Sequence, residues 1–210
     1  MEIRYLGHSC FVLIDKNGKT VLTDPYTKVG YELPSGLSVD VVTASHAHFD
    51  HKYLDGISYT RLIDEAGQQD VNIIGIESYH DPKQGALRGK NVIYKITVDG
   101  IIVCHLGDLG EVVYPEMIEK IGKVDVLLIP VGGTYTINAA QAKAYVDALQ
   151  PKAVIPMHYR PLDGVLDIES ADGFLKLFNE QEIERISSGI TQYDLNADRK
   201  RILYMERVKA

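Results

Sequence analysis

The cluster HAHFDH at residues 46–51 is the feature that most constrains this chain. It holds three of the seven histidines and directly follows a largely apolar run. Because side chains two residues apart in an extended chain point the same way, His46 and His48 can reach one metal ion together. Asp50 and His51 lie just beyond, where they can face the same pocket toward a second ion. Imidazole and carboxylate groups suit zinc, manganese, iron or nickel, so the cluster predicts a metal centre at the end of a strand.

Composition disfavours several classes of protein, namely nucleic-acid-binding, disulfide-bonded and membrane-spanning ones. With 22 Lys and Arg against 29 Asp and Glu, the 210-residue chain has a formal net charge of −7, which disfavours a nucleic-acid partner. Cys10 and Cys104 lie far apart in apolar runs and predict buried core thiols rather than a disulfide. No apolar run approaches the ~18 residues of a membrane span, and the N-terminal residues lack the apolar segment of a signal peptide. We therefore expect one cytoplasmic domain over residues 1–210.

The order of strand-like and helix-like segments predicts two sheets with helices outside them. Hairpin-like runs come first, and alternation of strand and helix follows. The predicted strands are 3–6, 11–15, 20–23, 39–44, 71–76, 91–99, 101–105, 124–129 and 152–157, with two or three more between 185 and 208. The predicted helices are 115–121, 138–149 and a segment around Phe174, Leu175 and Phe178. Residues 26–38 and 77–90 are expected to be loops.

The HxHxDH pattern resembles the signature of the metallo-β-lactamase-fold superfamily, and its companions follow in order. His80 in SYHD, Asp108 in HLGD and His158 in PMHY each follow a predicted strand, as the ligands of that fold do. The resemblance implies an α/β fold, the four-layer αββα sandwich, with a binuclear site along one edge of the two sheets. It implies a first ion held by His46, His48 and His80, a second held by Asp50, His51 and His158, and a bridging Asp108.

Further stretches of this chain resemble a single-domain group of that superfamily, the proteins similar to L-ascorbate-6-phosphate lactonase. These are YLGHS at 5–9, LTDP at 22–25, RGKN at 88–91, PVGGTYT at 130–136 and PMHY at 156–159. Ser45 departs from the pattern, since many relatives carry threonine before the first ligand, and this puts no ligand in doubt. The group tolerates different substrates, so the resemblance implies a hydrolase without naming its substrate.

Three further polar residues have both a functional and a structural interpretation. His8 follows a strand and a glycine, and it is either a turn histidine or part of the pocket, as an acid/base or an extra ligand. We favour the pocket, because the similar group carries histidine there. His105 is as consistent with a hydrogen-bonded core histidine as with a ligand, and we leave it outside the ligand set. Asp24 is either a turn-capping carboxylate or one that orients a ligand histidine.

Anion recognition is a hint about the substrate. Backbone N–H groups and hydroxyls of residues 132–136 can bind an anionic group. The planar guanidinium groups of Arg88 and Arg160 can do the same. For both arginines, a solvated surface position is the better interpretation.

The sequence thus predicts a metal-dependent hydrolase that activates water at a binuclear site. The expected target is an ester, lactone or phosphodiester bond of a small substrate, with an anionic one hinted at. Asp50 and His8 are the catalytic candidates: Asp50 orients the nucleophile, and His8 or a metal-bound water protonates the leaving group. We expect two divalent ions per chain, zinc first, with manganese, nickel or iron as alternatives.

Other functions on the same fold stay open. They are a mononuclear iron oxygenase of the persulfide dioxygenase type and a ribonuclease. No membrane partner is expected, and a homo-oligomer is compatible with the sequence.

Overall fold

The computed structural model describes residues 1–187, 189–191, 195 and 201–208. The strands are β1 (Glu2–Gly7), β2 (Cys10–Ile14), β3 (Thr20–Thr23), β4 (Ser38–Thr43), β5 (Ser58–Ile63), β6 (Gly67–Asp70), β7 (Ile73–Tyr79), β8 (Lys90–Val98), β9 (Ile101–His105), β10 (Val126–Pro130), β11 (Ala153–Met157), β12 (Ile183–Ile186), β13 (Ile190–Thr191) and β14 (Arg201–Met205). The helices are α1 (Pro115–Ile121), α2 (Ala139–Leu149) and α3 (Asp172–Leu175), followed by a 3₁₀ turn at Glu180–Glu182. Within these described residues, no helix has the length and apolar character needed to cross a bilayer.

The strands form two large sheets whose directions decide where the loops meet. The first has the order β13-β1-β2-β3-β4-β5, and the second has the order β12-β14-β11-β10-β9-β8-β7-β6. In the first sheet β1, β3 and β4 run in one direction, with β2 antiparallel between β1 and β3. In the second sheet β7, β9, β10 and β11 run in one direction. The carboxyl ends of each set therefore lie together at one edge of their sheet.

Alternation along the strands builds two hydrophobic clusters. In β2, Phe11 and Leu13 belong to a large cluster that joins both sheets and the three helices. Cys10 and Val12 point to the opposite face and belong to a smaller cluster, which loop residues such as Leu33 cover. Full burial of one large apolar side chain contributes about 1.5–3 kcal/mol, so the layers are held mainly by this packing.

The α/β sandwich predicted from the sequence is confirmed, with two sheets and helices packed on them. The helix predicted over 138–149 is also present as α2, and Asn138 caps it, since its side chain accepts the Gln141 N–H at 3.0 Å. Cys10 and Cys104 are buried free thiols, as predicted.

The prediction missed two strands and misplaced several boundaries, since the strands predicted from residues 71 and 124 begin at Ile73 and Val126. No strand was predicted over β5 and β6, because most β5 side chains are exposed and the segment lacks apolar alternation. The predicted loop at 77–90 begins too early, since β7 continues to Tyr79. Three short strands, β12 to β14, form in the C-terminal region as expected, although residues 188, 192–194, 196–200 and 209–210 lie outside the described residues.

Candidate metal centre

The candidate residues converge because each follows the carboxyl end of a strand. His8 follows β1, Asp24 follows β3, residues 46–51 follow β4, His80 follows β7, Asp108 follows β9 and His158 follows β11. Hydrogen bonds join the edges of the two sheets at this point. The His158 N–H donates to the His8 carbonyl at 3.0 Å, and the Val92 N–H donates to the Ser45 carbonyl at 2.9 Å. The site thus lies along the common edge of both sheets.

His46, His48 and His80 make up the first donor group, with one ligand atom from each within 4.8 Å of the others. His46 Nε2 and His48 Nδ1 are 2.9 Å apart. Burial, with the nearby His51, lowers the pKa of His46 to about 3. Burial and His80 also lower the pKa of His48. Both imidazoles are therefore neutral at pH 7, which is the form that binds a metal.

His8, Asp50, His51 and His158 make up the second donor group, again with ligand atoms within 4.8 Å of one another. The Asp50 Oδ2 atom lies 3.3 Å from His8 Nε2 and 3.7 Å from His51 Nε2. Burial raises the pKa of Asp50, but His8 and His51 more than offset this and hold it below its usual value. The group therefore offers a carboxylate and three imidazoles.

Asp108 lies between the two donor groups. Its Oδ2 atom is 3.1 Å from His80 Nε2 and 3.2 Å from His158 Nε2, and its Oδ1 atom is 3.1 Å from His51 Nε2. Burial raises the pKa of Asp108, but His158 and His51 outweigh it and keep that pKa well below its usual range. One ionised carboxylate thus contacts both groups.

Buried donor atoms without partners indicate that the centre fits a cation. Among the described residues, His8 Nε2, His51 Nε2 and Asp108 Oδ1 lie close to other donor atoms of the centre but make no hydrogen bond of good geometry. A buried polar atom left unpaired costs about 1–3 kcal/mol, and more when it is charged. Burial lowers the pKa of His51, yet Asp108 and Asp24 raise it well above its usual value, so positive charge is favoured here. A bound metal ion would supply that charge and partner these atoms.

Asp24 connects the centre to the sheet beneath it. Its carboxylate is completely buried, and Oδ2 lies 2.8 Å from His51 Nδ1. It also accepts the Ser45 N–H at 2.8 Å and the Ser45 hydroxyl at 2.6 Å, and that hydroxyl is 3.0 Å from His46 Nδ1. Asp24 therefore caps the turn after β4 and also contacts the ring of His51. The turn-capping role and the orienting role that the sequence left as alternatives are thus both present.

We expect Asp24→Asn to weaken metal binding about 10–100-fold, since groups that orient a metal-binding histidine have effects of this size. The amide keeps the shape but loses the charge that fixes the His51 tautomer. Calorimetric titration of metal-free protein with Zn²⁺ measures the change. Asp40→Asn is the matched control, because Asp40 accepts bonds from Thr20 in the same sheet, away from the centre. Equal affinity in Asp24→Asn and the wild type would contradict this role.

Asn91 is a site residue that the sequence interpretation missed. Its Oδ1 atom accepts the Asp108 N–H at 2.9 Å, and its Nδ2 donates to Ser78 Oγ at 2.7 Å and to the Leu106 carbonyl at 2.9 Å. Gly107 makes this possible, because a Cβ there would lie 2.3 Å from Asn91 Oδ1. The one sequence signal for Asn91 was its place in the RGKN stretch, and that stretch alone does not indicate which residue the asparagine contacts.

His105 is held by two hydrogen bonds and lies outside both donor groups. Its Nε2 donates to the Ser9 carbonyl at 2.8 Å, and its Nδ1 accepts the Gly107 N–H at 3.1 Å. Burial lowers the pKa of His105, which keeps it neutral. It joins the connection after β1 to the turn that carries Asp108.

Beside the first donor group lies a cavity of about 610 Å³, whose lining includes His46, His48 and Arg88. Arg88 is half-buried, and its Nη2 donates to the Thr134 carbonyl at 3.2 Å while its guanidinium lies 5.6 Å from the Tyr135 ring centre. Arg88 is therefore partly exposed and also contacts two residues of the loop at 132–136. Arg160 is exposed.

The loop at 132–136 is less suited to anion binding than its sequence indicated. The N–H groups of Gly132, Tyr135 and Thr136 already donate to backbone carbonyls. Arg88 is thus the better candidate for contact with an anionic group in this region.

Comparison with known proteins gives the family. The model of the β-lactamase superfamily domain matches residues 2–158. The chain belongs to the metallo-β-lactamase superfamily. A UPF0173 protein of Pyrococcus abyssi is 30% identical over 92% of this chain and 98% of its own length. A UPF0173 metal-dependent hydrolase of Methanoregula boonei is 28% identical, over 83% and 88% of the two chains.

One solved structure is similar to this protein over 98% of the chain. It is a Thermotoga maritima protein assigned to the superfamily, with zinc-dependent hydrolysis as its suggested activity. The two chains are 38% identical, each is covered to 98%, and the TM-score is 0.80. The superfamily resemblance drawn from HAHFDH and its companions is therefore confirmed.

Proposed function

We propose that this chain hydrolyses an ester, lactone or phosphodiester bond of a small anionic substrate, using two divalent ions. The chain is a metal-dependent hydrolase of the metallo-β-lactamase superfamily, in line with its named relatives. Our proposal adds the type of bond, the anionic substrate and the two-ion site. It also adds a cytoplasmic location.

The position of Asp108 carries the proposal. A site for one ion needs three or four donors, whereas eight residues converge here, arranged as two groups on either side of one carboxylate. We assign one ion to His46, His48 and His80 of the first group and the other to Asp50, His51 and His158 of the second group, with Asp108 in contact with both.

Two divalent ions bound here would make hydroxide available near neutral pH and would polarise the substrate oxygen. Asp108 holds the two donor groups in a fixed relation, because its backbone is tied to Asn91. Within the second group, one carboxylate oxygen of Asp50 lies near His8 and His51. We assign Asp50 the role of orienting the nucleophile. Asp24 and Ser45 fix the rings of His51 and His46.

Arg88 supports the anionic character of the substrate. Arg88 is part of the lining of the cavity beside the first donor group, and its guanidinium contacts the Thr134 carbonyl and the Tyr135 ring. Among the described residues, no carboxylate lies within ion-pair distance of Arg88. Two other cations of this region, Lys52 and Lys90, are paired with Asp64 and Glu77. A restrained, unpaired guanidinium suits a planar anion such as a carboxylate or phosphate.

Metal analysis joined to a substrate screen tests the proposal. We expect about two ions per chain, zinc first, with manganese, nickel or iron as alternatives. The panel holds p-nitrophenyl acetate, a thioester, γ-butyrolactone and bis(p-nitrophenyl) phosphate, together with esters that differ only by a carboxylate. We expect hydrolysis of one bond class, loss of that activity with a chelator, and preference for the charged ester. Arg88→Ala should remove the preference for the charged ester. Arg61→Ala is the control, because Arg61 is an exposed arginine elsewhere on the protein, and this variant should retain the preference.

Other outcomes replace the proposal. One iron per chain with oxygen consumption would make the protein an oxygenase on the same fold. Salt-dependent RNA binding with RNA cleavage would make it a ribonuclease, against the net charge of −7. Full activity after complete metal removal would exclude the two-ion mechanism.

A further inference from the structure

The backbone at His8 is held in an unfavourable conformation. Its φ of +53° lies in the left-handed region, which costs a residue with a Cβ about 1 kcal/mol or more relative to glycine. Residues in such conformations persist where surrounding contacts enforce them, and they concentrate at functional sites. Glycine or asparagine would adopt this conformation more readily, so the turn alone does not account for an imidazole at position 8.

Three hydrogen bonds enforce this conformation. The His8 N–H donates to the Tyr31 hydroxyl at 3.0 Å. The His8 carbonyl accepts the Tyr5 hydroxyl at 3.1 Å and the His158 N–H at 3.0 Å. The Arg207 guanidinium stacks 4.0 Å from the Tyr31 ring centre and pairs with Asp163, which fixes the tyrosine. The peptide of His8 is thus fixed from both sheets.

The imidazole of His8 points into the second donor group. The residue is only 1% exposed, and its Nε2 makes no hydrogen bond of good geometry among the described residues. That nitrogen lies 3.3 Å from Asp50 Oδ2, and the ring centre is 4.4 Å from that of His158. The cavity beside the first donor group is lined by other residues. A proton donor to a leaving group needs to face the substrate, whereas His8 faces the other donors.

We propose that His8 is a further protein ligand of the ion held by Asp50, His51 and His158. This inference rests on the proposed function, because it presupposes an ion at that group. Together with Asp108, five protein donors would then be available to an ion at the second group. The first group has four, and its His48 is exposed toward the cavity, so the two positions differ in openness.

The test is titration of metal-free protein with Co²⁺, followed by calorimetry and visible absorption. His8→Asn removes the imidazole and tolerates a positive φ. We expect the wild type to bind two ions, and His8→Asn to bind the second about tenfold or more weakly. The visible bands of the second Co²⁺ should become stronger in the variant, because absorption rises as the coordination number falls.

Tyr31→Phe is the matched control, since it removes a hydrogen bond to His8 but keeps the imidazole. If His8 only supports the fold of this connection, both variants should weaken the second ion equally, which would overturn the inference. Unchanged affinity and spectrum in His8→Asn, with reduced hydrolysis, would also overturn it and assign His8 to proton transfer. Failure of the proposed function is separate, because it would show in the wild type as fewer than two bound ions.

Discussion

Asp108→Asn is expected to abolish the two-ion site and to reduce kcat/KM at least about a hundredfold. Metal-assisted stabilisation contributes several kcal/mol to hydrolysis, and about 1.4 kcal/mol corresponds to a factor of ten. The asparagine keeps the size of the side chain and the backbone bond to Asn91, but it removes the charge shared by both donor groups. Metal content by elemental analysis and steady-state kinetics on the substrate found in the screen measure the two effects.

The control for Asp108→Asn is Asp125→Asn. Asp125 is also buried, where it accepts the Ile102 N–H at 3.0 Å and pairs with Lys152 at 3.2 Å. Its loss should lower stability without changing the number of bound ions. If Asp108→Asn retains two ions and full activity, the bridging role is wrong. If both variants lose metal to the same extent, the effect reflects unfolding rather than the lost carboxylate.

Metal removal is expected to lower the thermal stability of the protein strongly. A ligand that binds only the folded state, at about a thousand times its Kd, contributes about 4 kcal/mol per ion. For a chain of this length each kcal/mol corresponds to about 2–4 °C, so one ion contributes about 8–16 °C in Tm. The physical reason is the buried charge of Asp50 and Asp108, which a cation neutralises. Thermal unfolding with and without a chelator, followed by circular dichroism, measures the shift.

The variant Asp108→Asn provides the control for metal removal. Because it should hold little metal, the chelator should shift its Tm much less than that of the wild type. A wild-type Tm that does not change with the chelator, although elemental analysis shows the metal has gone, would mean that the ions do not stabilise the fold. An equal shift in both proteins would locate the stabilising ion outside this centre.

Local signals indicated the candidate donors of residues 46–51, because metal chemistry leaves a dense pattern in the sequence, and the family resemblance added His80, Asp108 and His158. Three histidines and an aspartate within six residues are hard to reconcile with an ordinary surface loop, and His80, Asp108 and His158 each follow an apolar run typical of a strand. The sandwich followed from the same kind of signal, period-two alternation and the change from hairpins to strand–helix order. The exposed strand β5 lacked that signal, so it was missed.

The residues that support the donors were harder to predict, since their partners are distant in sequence. Asn91 holds the Asp108 backbone from another strand, and Asp24 reaches His51 across 27 residues. Tyr31 meets His8 from a loop. Each pairing depends on how strands are ordered and directed in the sheets. A single sequence does not contain that information in local form.

Residue type and period are local properties, and they were enough to mark residues 46–51 as candidate metal ligands at a strand end, whereas His80, Asp108 and His158 were implied by the family resemblance. The packed sheets add that the strand ends come from parallel sets in two sheets and meet at one edge. They also place Asp108 between two groups, bring Arg88 into the lining of the cavity, and point His8 at Asp50 rather than at solvent. These are distances between segments far apart in the chain, and only packing of the two sheets fixes them.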